Sequence, residues 1–232
     1  LTASQHFRQQ IVEYGRRIYQ RNFVGGSEGN VSVRFDLSRI MITPSGKCLG
    51  YLKPSDMVVL SAGGRKISGR HQQSSEYQLH LSIYHHRQDI NAICHAHPIY
   101  ATALAVTGSP IEKVYLPEFV MCVGVVPLIE YASPGTAEIF EKMTDQIDDH
   151  NVFLLQNHGL IALGHNIEEA FNRLEIIERY AYILFVANQS GTPREIPDKL
   201  VRLLPGADKF FVQKKRPDKR LSGKKETWQR TD

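Results

Sequence analysis

Apolar and polar positions along this chain switch between two periods. From Ser4 to about Arg21, Phe7, Ile11, Tyr14 and Ile18 recur at three and four residues, which predicts an amphipathic helix. After the turn Gly25-Gly26-Ser27-Glu28-Gly29-Asn30 the period drops to two. Val31, Val33 and Phe35 alternate with Ser32 and Arg34, as on a strand with one buried face. Ile40-Met41-Ile42 and Met57-Val58-Val59-Leu60 predict two more strands, ended by Thr43-Pro44-Ser45-Gly46 and by Gly63-Gly64. Tyr77, Leu79, Ile83 and Tyr84 give helical spacing to a segment from Gln73 to about His86. Ile90 to His97 reads as a strand, and Pro98 opens a helix to about Val106.

Farther on, the run from Val120 to Leu128 predicts a buried strand. Ser133-Pro134 offers an N-cap and a first-turn proline to a helix carrying Ile139, Met143 and Ile147. Val152 to Gln156 and Leu160 to Leu163 predict strands on either side of Asn157-His158-Gly159, where Gly159 is expected to let the backbone turn. A long helix from about Ile167 to Gln189 buries Ala170, Leu174, Ile177, Ala181 and Leu184. Strands outnumber helices without strict alternation. The pattern predicts one α/β domain, a mixed or antiparallel sheet covered by helices, over residues 1–212, with no internal repeat.

Composition sharpens this in three places. The chain's 232 residues are enough for a full core, and its apolar runs fall far short of the roughly 18 residues a membrane span needs. No basic stretch followed by an apolar one stands at the start, so no secretory signal is expected. The three cysteines, Cys48, Cys94 and Cys122, are too scattered for a disulfide framework, which points to the cytoplasm. The net charge of +4 is concentrated at the end. Residues 213–232 carry eight basic and three acidic side chains, leaving the rest of the chain at −1. That end reads as a basic, flexible tail, and the body gives no nucleic-acid signal.

The sharpest chemical signal is Cys94-His95-Ala96-His97-Pro98. Residues two apart on a strand point the same way, with Cα atoms roughly 6.5–7 Å apart, so both imidazoles can reach one ion. The alternative is a pair of strand histidines satisfied by ordinary hydrogen bonds. A third ligand must come from elsewhere, and His158 stands at a strand end in Gln156-Asn157-His158-Gly159-Leu160. Three histidines would leave a position open for substrate, as catalytic zinc sites do. His6, His71, His80, His85, His86, His150 and His165 are expected not to be ligands, and Cys94 to face away as a packing residue.

Three small-residue turns, Gly29-Asn30, Ser45-Gly46 and Ser74-Ser75, could aim backbone N–H groups at an anion, but only if the fold gathers them. Glu76 follows directly. It reads either as a capping carboxylate at a helix start or as a carboxylate beside the metal, a fourth ligand in the empty site and a proton shuttle in the occupied one.

Together these pieces resemble the class II aldolase/adducin family from about residue 5 to 190. The resemblance is carried by Gly29-Asn30-Val31-Ser32-Val33-Arg34, Ile42-Thr43-Pro44-Ser45-Gly46, Ser74-Ser75-Glu76, His95-Ala96-His97-Pro98, Tyr131-Ala132-Ser133-Pro134-Gly135-Thr136 and Gln156-Asn157-His158-Gly159-Leu160. It implies a three-layer α/β/α sandwich around a mainly antiparallel sheet, assembled as a homotetramer. It makes His95, His97 and His158 zinc ligands and Glu76 the catalytic acid/base. Gly29, Asn30, Ser45, Gly46, Ser74 and Ser75 would hold a sugar phosphate. The implied reaction cleaves an L-fuculose 1-phosphate-like substrate to dihydroxyacetone phosphate and an aldehyde. A second proton-handling residue, a tyrosine from a neighbouring subunit, maps near Leu116, with Tyr115 one residue off. The alternatives within the family are 4-epimerisation of a ribulose phosphate, where Asp characteristically stands at Glu76, and dehydration or decarboxylation of a phosphorylated sugar acid. An adducin-like structural head, which lacks the ligands, is the non-enzymatic alternative. Beyond about residue 195 the resemblance fades, and Phe210 and Phe211 are expected to pack rather than to close over the site.

Overall fold

A computed structural model describes residues 2–214. The elements, in order, are α1 (Ala3–Gln20), β1 (Asn30–Asp36), β2 (Arg39–Ile42), β3 (Val58–Ser61), β4 (Lys66–Ser68), α2 (Tyr77–His86), β5 (Ala92–Ala96) and α3 (Ile99–Val106). There follow α4 (Pro117–Cys122), β6 (Leu128–Ile129), α5 (Glu138–Met143), β7 (Val152–Leu155), β8 (Gly159–Gly164), α6 (Ile167–Ser190), α7 (Asp198–Val201) and α8 (Ala207–Lys214). The strands form one eight-stranded sheet in the order β4-β3-β2-β1-β5-β8-β7-β6. Every pairing is antiparallel except β6 with β7.

The period-two pattern sorts the sheet's side chains onto two cores. Val31, Val33, Met41, Cys94, Leu154, Leu160 and Ala162 join a cluster with Ile11 and Ile18 of α1 and Leu174 and Ile177 of α6. Ile40, Ile42, Val58, Ile93, Phe153, Ile161 and Leu163 face the other way, onto Leu79 and Ile83 of α2 and Ile139 and Met143 of α5. The result is a three-layer α/β/α sandwich with a mainly antiparallel sheet. Each fully buried Ile or Leu contributes roughly 1.5–3 kcal/mol, so the two clusters lock the strand register that positions the site.

The sequence pattern misses in identifiable ways. Within the expected strand from Val120 to Leu128 the chain instead completes α4, where Pro117 occupies the first turn; Val126 makes an isolated bridge to Ile111, and only Leu128–Ile129 joins the sheet. A short apolar run is buried equally well as helix or strand, so periodicity cannot separate them. Ser133 does not cap a helix: its carbonyl accepts from Thr136, Gly135 is left-handed at φ +80°, and α5 starts at Glu138. Residue Gln73 bridges Pro44 in an extended segment, so α2 begins only at Tyr77. The short β4, α7 and α8 carry no periodic signal long enough to read. Helix α8 also passes the boundary set at residue 212. Gln213 is buried, accepts from the Val125 N–H and donates to the Asp149 carbonyl. Residues 215–232, most of the expected basic tail, lie outside the described residues. Phe210 and Phe211 pack in the core, with Phe210 edge-on to Phe119.

Candidate metal centre

Four elements meet at one end of the sheet. β1 begins at Asn30, which pairs with His95 near the end of β5, and His95 pairs with Ile161 of β8. The β7–β8 hairpin carries His158 in its three-residue loop, and Glu76 immediately precedes α2. His97 lies just beyond the last strand residue, so the expected picture of two histidines on one regular strand holds only for His95. The His97 N–H donates to the Phe23 carbonyl, which fixes the exit of β5. In the hairpin loop the left-handed residue is Asn157, at φ 55°, not Gly159. Gly159 serves a close approach instead: a Cβ there would stand 2.6 Å from both the Ala96 carbonyl oxygen and His97 Cδ2. Gly29 needs both kinds of freedom, with φ +73° and the His95 carbonyl oxygen 2.8 Å from where a Cβ would be.

The three imidazoles converge. His95 Nε2 lies 3.2 Å from His97 Nε2 and 3.3 Å from His158 Nε2. Glu76 joins them, its Oε2 3.2 Å from His95 Nε2 and its Oε1 3.4 Å from His158 Nε2. Donors bound tetrahedrally at about 2.0–2.1 Å stand roughly 3.3–3.4 Å apart, so these spacings fit one zinc-sized ion. The tautomers agree. His95 Nδ1 donates to the Leu160 carbonyl at 3.0 Å, which leaves Nε2 as a bare lone pair facing the cluster. His97 Nδ1 faces the Glu28 carboxylate at 3.4 Å, and Glu28 in turn accepts from the Gly25 N–H. Glu28, a carboxylate behind the His97 ring, is a residue that the sequence pattern did not single out. Its place in a glycine-rich turn gave no such signal.

Burial pushes the His95 pKa down to about 3 and lowers that of His158, so both rings are neutral at pH 7. Burial pushes the Glu76 carboxyl up, while the Asn30 amide, which donates at 2.6 Å, favours the carboxylate; the net shift is downward, and it is ionised. Neutral rings cannot themselves balance that charge. A buried carboxylate beside two neutral imidazoles therefore suits a cation. The capping role for Glu76 is not adopted, since its side chain makes no cap hydrogen bond to α2.

The three small-residue turns do come together. Pro44 bridges Gln73, the Ser45 N–H donates to the Gln72 carbonyl and the Ser74 N–H donates to the Thr43 carbonyl. Thr43 is tied to Val31, next to Asn30. Ser45, Gly46 and Ser75 are exposed, while Asn30 and Ser74 are buried, with Ser74 Oγ accepting from the Glu76 N–H. Tyr115 is half-buried before α4, and both its backbone N–H and its ring find Tyr180. Cys94 lies in the α1/α6 core, its thiol pushed up to about 12 by burial, as befits a packing residue.

The sequence profile described as Class II Aldolase and Adducin N-terminal domain matches residues 9–185. A relative named L-fuculose phosphate aldolase, from Methanococcus maripaludis strain S2, is 35% identical over 179 residues, covering 77% of this chain and 96% of its own length. A relative named 3-oxo-tetronate 4-phosphate decarboxylase, from Pectobacterium atrosepticum, is 35% identical over 190 residues, covering 80% and 87%. Among solved structures, an L-fuculose 1-phosphate aldolase superposes with a TM-score of 0.79 at 34% identity, covering 89% of this chain and 96% of that one. YgbL of Escherichia coli superposes with a TM-score of 0.81 at 29% identity, covering 87% and 98%.

Proposed function

The chain belongs to the class II aldolase/adducin family, and from that premise we propose that it is a zinc-dependent aldolase of sugar-phosphate metabolism. Its substrate is a ketose 1-phosphate resembling L-fuculose 1-phosphate, cleaved reversibly to dihydroxyacetone phosphate and an aldehyde. The observation that carries this reading is the convergence of His95, His97 and His158 on one point, with the Glu76 carboxylate beside His95 and His158. An adducin-like structural head has no need of such a set.

His95, His97 and His158 would hold the ion, with Glu76 beside them as a further donor. Bound there, a divalent cation supplies Lewis-acid polarisation of the substrate carbonyl. The remaining work belongs to the chain. Gly29, Asn30, Ser45, Gly46, Ser74 and Ser75 hold the phosphate through backbone N–H groups, hydroxyls and the Asn30 amide. Because the Asn30 amide also binds Glu76, the phosphate pocket and the acid/base are set in one register. The C3–C4 bond breaks as the C4 hydroxyl gives up its proton and the aldehyde forms; that proton, relayed to the Glu76 carboxylate, is the one Glu76 then delivers to C3. Tyr115 of an adjacent copy is the candidate for the C4 hydroxyl proton. The enzyme acts in the cytoplasm as a homotetramer. Supporting assembly, α3 and α6 expose Ile99, Val106, Tyr182, Phe185 and Val186. No helix among the described residues is long and apolar enough to cross a membrane.

A second reading is decarboxylation of a 3-oxo sugar acid phosphate, supported by a decarboxylase relative as similar as the aldolase one. The test measures dihydroxyacetone phosphate released from L-fuculose 1-phosphate and other ketose 1-phosphates. It runs beside carbon dioxide release from 3-oxo-tetronate 4-phosphate, each with and without chelator. Chelator-sensitive triose phosphate release is expected. Carbon dioxide from 3-oxo-tetronate 4-phosphate, whose other product is itself dihydroxyacetone phosphate, with no triose phosphate from any ketose 1-phosphate, would replace the aldolase reading by the decarboxylase.

A further inference from the structure

Directly beneath Glu76 lies a buried polar chain that none of the roles above uses. His80, one helical turn beyond Glu76 on α2, has no exposed surface. Its Nδ1 lies 2.7 Å from Ser32 Oγ, and Ser32 Oγ lies 2.8 Å from the Tyr84 hydroxyl. The Arg34 guanidinium sits 4.9 Å above the Tyr84 ring and is pinned by the Arg87 and Ile90 carbonyls. Four polar side chains in a sheet–helix interface otherwise built from Ile, Leu and Val are costly unless their hydrogen bonds are specified.

The direction of the chain follows from its ends. Among the described residues Tyr84 has no hydrogen-bond partner for its hydroxyl other than Ser32, so the phenol donates to Ser32 and Ser32 donates to His80 Nδ1. The reverse order would leave the phenol proton without an acceptor. With Ser32 donating to Nδ1, the ring proton sits on Nε2. Two buried atoms at this spot have no hydrogen-bond partner: His80 Nε2 and Glu76 Oε1. One is a donor and the other an acceptor, four residues apart on successive turns, where side chains are neighbours.

We propose that His80 is the positioning residue for Glu76, its Nε2–H receiving Oε1 when the carboxylate swings off the histidine cluster to act as proton carrier. Asn30 holds Oε2 throughout, so the swing is a rotation about a fixed oxygen rather than a loss of the carboxylate to solvent. The Tyr84–Ser32 segment fixes the ring so that the N–H waits at that position. This assignment rests on Glu76 being the acid/base of the reaction proposed above.

Two variants separate positioning from packing, because glutamine reproduces the donor at Nε2 and asparagine the polar group at Nδ1. In the full-length protein loaded with zinc, His80→Gln should keep kcat within about threefold. His80→Asn should lose about 10- to 100-fold in kcat, the scale of a misplaced catalytic group, with KM unchanged. The zinc dissociation constant, read by competition with a chromophoric chelator, should be unchanged in both. A His80→Asn protein as active as His80→Gln, or a His80→Gln protein that falls as far as His80→Asn, overturns the assignment. A readout independent of turnover uses protein labelled with 15N-histidine. The His80 ring should carry its proton on Nε2, and Glu76→Gln should shift that resonance. A proton on Nδ1, or a resonance indifferent to Glu76→Gln, overturns the assignment even if neither variant folds. If no sugar phosphate is turned over while the resonance behaves as stated, the reaction assignment fails and the positioning of Glu76 stands.

Discussion

Single side chains at this centre divide, on the proposed reading, into those that would hold an ion and those that would aim the holders. His95→Ala removes the ring to which the other donors lie closest, and is expected to abolish both zinc binding and turnover. Glu76→Gln keeps three nitrogen donors, so zinc should remain bound while turnover falls about 10²- to 10⁴-fold, the usual contribution of a positioned acid/base. Metal content and kcat on the same preparation check both; a fully active Glu76→Gln protein would sink the proton-carrier role. Glu28 acts one step back, through His97 Nδ1. Glu28→Gln should weaken zinc affinity about 10-fold, the lower end for a partner that orients a ligand. An unchanged dissociation constant would reduce Glu28 to a turn residue held by the Gly25 N–H.

At the scale of elements, the centre depends on how closely β5 and the β7–β8 hairpin approach. Gly159 is where they touch, and a methyl group there meets a carbonyl of β5 and the ring of His97 at once. Gly159→Ala should therefore destabilise the fold by about 1–3 kcal/mol, the usual cost of overpacking, and weaken zinc affinity in the same variant. Denaturant unfolding and the chelator competition measure the two. A loss of stability with unchanged affinity would mean that the hairpin yields and the ring does not. Asn157 tolerates its left-handed conformation better than a bulky or branched residue could, which suits a loop that must present His158.

For the whole molecule, the ion and the acidic side chains set the limits of stability. Zinc that binds only the folded chain adds about 2.7 kcal/mol at a free concentration 100 times its Kd, so chelator should lower Tm and zinc restore it. Three carboxyls govern the acid limb. Arg39 holds Asp36 at about 2 and Arg87 holds Asp89 at about 2; burial raises Asp56, but the Lys53 N–H, Lys47 and His71 together bring it to about 2. These values lie below the ordinary 3.8, so the stabilisation is complete above about pH 4 and is lost as pH falls toward 2. Asp56→Asn should lower Tm at pH 7 and flatten the decline between pH 4 and 2; an unaltered acid limb would exclude Asp56 from it. What the sequence determined by itself was the set of donors and the long periodic elements. His95, His97 and His158 stand in short motifs whose residue types limit the chemistry, and α1, β1 and α6 repeat one period long enough to be unambiguous. Local periodicity could not decide between helix and strand for 120–128, where the run is short and apolar throughout. Nor could it say whether Glu76 caps α2 or faces the histidines, or that Ser45, Ser74 and Asn30 would meet. Those outcomes depend on β1 pairing in one register with both β2, between residues 3 to 10 positions apart, and β5, between residues 59 to 65 positions apart. Only burial of both faces of the sheet selects that register, and no stretch of sequence carries it alone.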